Sequence, residues 1–460
     1  MENIKKENFY CYKKDKETYC VLNKENGAIF EIDKEGKELL DNVLKLNGIS
    51  KVKMKMNKSK NFLELEENDI KQFVENITNN NSTNPDETNR KIFHLQWHLT
   101  GVCNLKCKHC YQEEYSSKND LSLEEQKQIV DNYFDYIEKY CMQPEISLTG
   151  GEPISYKYLF DLLTYIKERK SETRLFLLTN GTLINDEIIK KLKKINITGV
   201  QISLDGYNAL THDTIRGKGN FDKAIEAIKK LKANKIYTSV HCVIMESNIN
   251  DIEKYVQLCS ELNIDRLTFS RFVPIGNGNK NNVKILSPEM IKKIYYQIYE
   301  LKMKYPKANI NLERDLWMII NPEFGSTCPV GEGTITILND GVVLPCRRLP
   351  IKIGNALQES IAEIMFKSKI LDKMHENNLK ECLGCKLNKQ CKGGCQGIAF
   401  AYFGKLMEKA DPECWIANEN LPNAKQDFKK VRYDERQGYF EYNEETTNFK
   451  NLYADKSENS

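Results

Sequence analysis

Along the chain the spacing of apolar residues changes several times. Over residues 1–80, short β-rich runs (NFYCYK, TYCVLN, GAIFEI) alternate with polar turns. Two stretches follow, KEGKELLDNVLKL and ENDIKQFVENIT, in which apolar residues return every three or four positions. Strand patterns followed by helical ones predict a small α+β unit. Residues 79–90, NNNSTNPDETNR, carry almost no apolar side chain and read as a linker, drawn here at 81–93.

Residues 94–319 repeat a different theme. Strand candidates HLQWHLT, EISLTG, RLFLLT, GVQISL, YTSVHCVI and RLTFSR are separated by amphipathic helices. Ser122 and Glu125 have capping-box spacing at the first helix, and Ser287-Pro288 opens the last. Strands that alternate with helices pair in parallel. An α/β fold follows, as an open sheet or a partial (β/α)6 barrel of the TIM type, with chemistry at the C-terminal strand ends. Residues 320–420 show little periodicity and are rich in Gly and Cys. That segment is expected to bury no large apolar core and to fold around metal. The tail, 421–460, is polar with interspersed Tyr and Phe; it either wraps back on the protein or is disordered.

Composition sharpens this picture at one residue type. The 460 residues carry a net charge of +3 with both signs interspersed, which calls for no nucleic-acid or membrane partner. The first residues lack a signal-peptide core and no long apolar run occurs, so a cytoplasmic protein is expected. Cysteine stands out, with 15 in the chain. Three lie between Cys103 and Cys110, and seven between Cys328 and Cys414. Cys11, Cys20, Cys141, Cys242 and Cys259 are scattered and read as packing residues. In a reducing compartment the clustered ones read as metal ligands or catalytic groups.

The first cluster, HLTGVCNLKCKHCYQ, is spaced CxxxCxxC after the first barrel strand. Three thiolates with no nearby fourth argue against a closed zinc site and suit a [4Fe–4S] cube with one open iron. Polar groups mark the next strand ends: Gly150-Gly151-Glu152, then Thr179-Asn180-Gly181, then Ser203-Leu204-Asp205-Gly206, with His212, Asp213 and Arg216 soon after. A lone Gly-Gly pair is usually a turn, but polar groups at successive strand ends of one βα series point to a site. Together these residues resemble the core of radical S-adenosylmethionine (SAM) enzymes. The resemblance implies that Cys103, Cys107 and Cys110 hold the catalytic cluster. It implies that Gly150, Gly151 and Glu152 hold the methionine amino group, and that Ser203, Asp205 and Arg216 lie on the ribose or carboxylate side with Asn180 nearby. His109 replaces the usual aromatic residue, its backbone facing adenine.

The second cluster reads Cx12Gx4C, a gap, Cx2Cx5Cx3C, a gap and C. Paired zinc sites would use cysteines in fours, and here there are seven. The segment resembles the SPASM domain, which implies two auxiliary [4Fe–4S] clusters and three clusters in all. Carried over, the pattern gives Cys382, Cys385, Cys391 and Cys414 to an outer cluster, and Cys328, Cys346 and Cys395 to an inner one. The inner set is one ligand short, since residues 329–345 hold no cysteine. Its fourth position would be an open iron that takes a substrate thiolate, a non-cysteine or solvent ligand, or Cys11 or Cys20 reaching over.

Residues 1–80 resemble the PqqD-like, winged-helix-like recognition element of maturases that act on ribosomally made peptides. That element offers an edge strand to a leader peptide, and the run Lys51, Lys53, Lys55, Lys58 and Lys60 would attract acidic leader residues or simply be solvated. The resemblances imply an oxidoreductase in which SAM yields a 5′-deoxyadenosyl radical, with a flavodoxin or ferredoxin as reductase. Its expected product is a cross-link, favoured as a cysteine thioether to carbon. Carbon–carbon cross-linking and epimerisation are the alternatives. A sulfatase-maturing enzyme fits less well, because Arg347 stands where that group resembles itself in having Asp. A non-catalytic peptide chaperone would show a degenerate first motif, and this one is complete.

Overall fold

The computed structural model describes residues 9–13, 18–23, 29–46, 49–56, 66–78, 91–281, 283–312, 316–376, 379–419, 439, 441–442 and 449–450. They fall into two compact units, one built from residues 1–93, 131–143 and 360–377, the other from residues 94–130, 144–359 and 378–460.

The first unit begins with an antiparallel sheet of β1 (Phe9–Lys13), β2 (Thr18–Asn23) and β3 (Ile29–Asp33) in that order. Helices α1 (Lys34–Lys45), α2 (Ile49–Met56) and α3 (Glu67–Thr78) follow. Asp33 starts α1 by accepting the Gly36 N–H at 2.7 Å. The apolar stripes of the helices meet in Leu39, Val43, Val52, Met56, Ile70 and Val74, and Phe9, Val21 and Leu40 join the sheet to them. Lys51, Lys53 and Lys55 sit on α2, where Lys53 pairs with Glu66 at 2.5 Å; Lys58 and Lys60 lie outside the described residues.

The barrel strands are β4 (Ile92–His98), β5 (Gln143–Thr149), β6 (Arg174–Thr179), β7 (Gly199–Ser203), β8 (Thr238–Ile244) and β9 (Arg266–Arg271). They lie side by side in chain order, with short β10 (Ile310–Asn311) at one edge. From β5 to β10 neighbouring strands pair in parallel, for example Ile146↔Leu175, Leu177↔Val200, Ile202↔Val240 and Val240↔Leu267. Between the strands run α4 (Leu123–Lys139), α5 (Leu159–Arg169), α6 (Asp186–Lys194), α7 (Ala209–Arg216), α8 (Asn220–Ala233) and α9 (Ile252–Glu261). Short α10 (Asn277–Lys280) and long α11 (Pro288–Lys304) close the series. The six-unit partial barrel is thus present. Its first strand starts at Ile92, inside the segment read as linker, because Ile92 and Phe93 already follow the strand's alternation. Leu95, Trp97, Ile146, Leu148, Leu175, Leu177 and Ile202 are fully buried on one face. The alternate positions, among them His94, Gln96, Ser147, Gln201, Ser203 and His241, make the other face polar. The capping box holds: Glu125 accepts from Ser122 N at 2.8 Å, and Glu125 N donates to Ser122 Oγ at 3.3 Å.

Residues 320–420 depart from expectation. After α12 (Trp317–Ile320), strand β11 (Thr334–Ile337) pairs in parallel with β4, so the sheet continues into β12 (Val342–Leu344) and β13 (Gly354–Asn355). Ile335, Ile337, Val343, Leu344, Leu349, Ile351, Ile398 and Phe400 are buried to 1% exposure or less. The segment therefore buries many apolar side chains, in part against the barrel, as where Ile398 packs with Val273 and Ile275. Strands of three and four residues are too short to show a period in the sequence. Helices α13 (Ile361–Lys367), α14 (Lys369–Glu376), α15 (Asn388–Cys391), α16 (Gln396–Phe403) and α17 (Trp415–Glu419) follow, and α14 packs against β1. Within the tail, β14 (Glu441–Tyr442) pairs with β15 (Phe449–Lys450), and most of 420–460 lies outside the described residues. No helix among the described residues is long and apolar enough to cross a membrane.

Candidate active site

The loop after β4 carries Cys103, Cys107 and Cys110, and its neighbours fix it at both ends. Thr100 Oγ1 and Gly101 N both donate to Asp120, the latter at 2.9 Å, and Asn339 Nδ2 donates to the same carboxylate at 2.8 Å. Lys108 N donates to Ile215 O at 3.0 Å, and Gly278 N to Cys110 O at 3.3 Å. Each of the three sulfurs accepts one donor: Leu105 N to Cys103 Sγ at 3.4 Å, Gln112 N to Cys110 Sγ at 3.4 Å, and Arg216 Nη1 to Cys107 Sγ at 3.8 Å. Such donors favour the thiolate form that a metal needs. Without metal, burial pushes Cys103 up to about 12 and Cys107 up to about 11. Among the described residues no three His, Cys, Asp or Glu side chains close around one metal ion. Three thiols on one loop, each sulfur facing a hydrogen-bond donor, suit a four-iron cube with one open iron.

Gly150 and Gly151 serve the protein's own backbone. Gly151 N donates to Thr100 O at 2.7 Å and Glu152 N to Val102 O at 2.8 Å, zipping the β5 loop to the cysteine loop. A Cβ on Gly151 would lie 2.0 Å from Val102 O, and Gly150 has φ +136°. Glu152 is fully buried. It accepts from Thr179 Oγ1 at 2.6 Å, Asn180 N at 2.9 Å and Ile154 N at 3.1 Å. Burial pushes its carboxyl upward against these hydrogen bonds. Asn180 Nδ2 in turn donates to Asn104 Oδ1 at 2.9 Å, within the cysteine loop.

A third group lies at the end of β7. Arg216 Nε donates to Asp205 Oδ2 at 2.6 Å, and its Nη2 lies 3.4 Å from His109 Nε2. Asp205 also accepts from Val243 N at 2.9 Å, and its own N–H donates to His212 Nδ1 at 3.1 Å. Burial alone would raise Asp205, but Arg216, then His109, hold its carboxyl well below the usual range. Burial takes His109 down to about 4. The structure thus turns Arg216 toward Cys107 and His109. Ser203 lies on the polar face of β7, half-buried.

The later cysteines gather as well. Cys382, Cys385, Cys391 and Cys414 line one pocket with about 390 Å³ of atom-free space. Burial pushes Cys382 up to about 12, with Cys414 and Cys385 adding to the shift. Cys395 and Tyr111 both pack against the cluster of Ile398, Ala401 and Tyr402, and burial pushes the Tyr111 hydroxyl upward. Cys328 and Cys346 flank the β11–β12 hairpin. Three side chains that sequence reasoning missed hold this region. Arg271, at the end of β9, donates twice to Asp411 at 2.9 and 2.7 Å and once to Glu413 at 2.8 Å, all buried. Asp411 Oδ2 accepts from Cys395 N at 2.9 Å, and Glu413 precedes Cys414. The pairing spans 140 residues and left no trace in local spacing. Tyr115 was missed too; burial, then Cys110, pushes its hydroxyl well above the ordinary range, and its oxygen accepts from Asn277 Nδ2 at 2.7 Å.

Residues 97–259 match the Radical SAM superfamily, and residues 328–395 match SPASM, an iron–sulfur cluster-binding domain. The chain is similar to the AdoMet-dependent heme synthase of Methanosarcina barkeri, at 27% identity over 70% of this chain and 95% of that protein. It is similar to the antilisterial bacteriocin subtilosin biosynthesis protein AlbA of Bacillus subtilis, at 29% identity over 66% of each. Among solved structures it resembles Streptococcus suis SuiB bound to precursor peptide SuiA, with TM-score 0.59, 18% identity, and coverage of 89% and 99%. The barrel is a radical SAM domain that binds SAM and a [4Fe–4S] cluster, and the SPASM domain binds auxiliary iron–sulfur clusters.

Proposed function

We propose that this enzyme, a radical SAM barrel joined to a SPASM domain, modifies a ribosomally made precursor peptide. One observation carries the reading: a three-strand, three-helix unit precedes the barrel, and the likeness to SuiB, solved with its precursor peptide, extends over 89% of the chain. The heme synthase matches over 95% of its own length yet only 70% of this chain. A chain longer than that catalytic part has room for a substrate-capturing unit.

Cys103, Cys107 and Cys110 would hold the catalytic cluster, and Glu152, Asn180 and Asp205 would set the loops that receive SAM. Bound there, SAM would supply, with one electron from the reductant, the radical chemistry that abstracts a hydrogen atom from the substrate. The chain's own residues do the rest: Arg216 ties Asp205 to Cys107 and His109 of the cysteine loop, and the polar inner face of the barrel receives the peptide. The leader would add as a strand to the edge at β3, which pairs only with β2 among the described residues, while α14 lies against β1. Three cysteines in the inner set, where four would complete a cluster, favour a peptide cysteine as the missing ligand and hence a thioether product. Carbon–carbon cross-linking is the second outcome. A flavodoxin or ferredoxin would supply electrons. The test is binding of a precursor peptide encoded beside the gene, with and without its leader. Loss of binding on leader removal supports the capture role, and equal binding refutes it.

A further inference from the structure

On β4 the polar face carries His94, Gln96 and His98, opposite the fully buried Leu95 and Trp97. His94 is satisfied, with Nε2 2.9 Å from Ser147 Oγ and Nδ1 3.1 Å from Thr334 Oγ1. His98 differs. It ends the strand at the C-terminal mouth of the barrel, five residues before Cys103, and it is 7% exposed. Its Nε2 is buried with no hydrogen-bond partner. Leaving an imidazole nitrogen dry costs free energy that an apolar residue would avoid. A buried nitrogen without a partner at the C-terminal end of a barrel strand, where ligands of this architecture bind, is a candidate ligand contact.

The second member comes from the other end of the site. Arg347 follows Cys346 and is 5% exposed. Its guanidinium lies 5.5 Å from the centroid of the Tyr111 ring, and Nη2 donates to Tyr111 O at 3.4 Å. Tyr111 directly follows Cys110, so this contact fixes a buried cation between the first cysteine loop and the inner SPASM cysteines. Burial, and after it the charge of Arg347, holds the His98 imidazole well below its ordinary value. His98 is therefore a neutral hydrogen-bonding group beside a permanent positive charge.

We infer that His98 and Arg347 together receive a carboxylate of the substrate, from an Asp or Glu side chain or a free C-terminus, and hold it beside the residue that is modified. The planar guanidinium fork matches a carboxylate, and neutral His98 can add an N–H through Nε2. One cation balances one carboxylate and would leave a phosphate dianion under-compensated. This inference rests on the peptide reading above and names the chemistry of its substrate.

The test uses iron-loaded enzyme with SAM and an equimolar mixture of blocked tripeptides, acetyl-Gly-Xaa-Gly-amide with Xaa as Asp, Asn, Glu or Gln. Triglycine with a free or an amidated C-terminus completes the mixture. Peptides retained on ultrafiltration are counted by mass spectrometry at physiological salt. Wild type should retain the acids about tenfold or more over their neutral isosteres. Arg347→Met should bring that ratio near unity, Arg347→Lys should keep part of it, and His98→Phe should reduce it. All variants are compared at equal iron content, so loss of fold is read separately. Retention without acid preference in wild type, or a preference unchanged in both Arg347→Met and His98→Phe, overturns the inference alone. Retention of no tripeptide by wild type overturns this site alone, because the capture reading itself expects binding to depend on the leader.

Discussion

Arg216 Nε and Asp205 Oδ2 meet at 2.6 Å in a pair that is almost completely buried, with the same guanidinium turned to Cys107. The pair ties the end of β7 to the cysteine loop. Asp205→Asn would leave that cation without its counter-charge, a change that costs roughly 3–5 kcal/mol in buried pairs. Chemical unfolding of the variant should show a loss of this size, together with a large drop in 5′-deoxyadenosine formation.

The same pair sets an acid limb. Asp205 is held below its ordinary value, so its contribution is complete above the unfolded carboxylate pKa of about 4 and is lost as pH falls through the depressed native value. Denaturant unfolding of the cluster-free chain between pH 6 and pH 3 (roughly the range over which carboxylates titrate) should show wild type losing stability more steeply than Asp205→Asn. Parallel slopes would contradict the assignment.

Gly151 has no room for a side chain, since a Cβ would stand 2.0 Å from Val102 O. The blocking atom is backbone and cannot rotate away. Gly151→Ala should push the β5 loop off the cysteine loop at a cost of about 1–3 kcal/mol. The electron paramagnetic resonance change that SAM induces in the reduced catalytic cluster should be weakened or lost.

The bond of Arg271 to Asp411 and Glu413 joins the end of a barrel strand to the loop between Cys395 and Cys414. Arg271→Met would strand two buried carboxylates. Iron should fall from roughly twelve per chain toward four, because the catalytic loop has its own supports. Cys385→Ala, which removes one pocket-lining sulfur, should cost about four irons.

How much of this was legible in the chain depended on range. Cys103, Cys107 and Cys110 sit within eight residues, and the glycines and carboxylates follow successive strands, so periodicity placed them at the barrel mouth. The four pocket cysteines were readable because their spacing is short apart from Cys414. Arg271–Asp411 and Arg347–Tyr111 span 140 and 236 residues, and only the tertiary fold brings them together. His98 looked like one more strand residue until its partnerless nitrogen was visible. Gly150 and Gly151 were expected at the methionine amino group; what spacing did not show is that they also lie against the backbone leading into the cysteine loop.

The central claim is that a radical made in the barrel acts on a peptide. The direct measurement is mass spectrometry of the precursor peptide encoded beside this gene, incubated with reconstituted enzyme, SAM and dithionite, with 5′-deoxyadenosine counted in the same tube. The account predicts 5′-deoxyadenosine together with a peptide two hydrogens lighter for each event. Production of 5′-deoxyadenosine with a peptide that neither binds nor changes would contradict it.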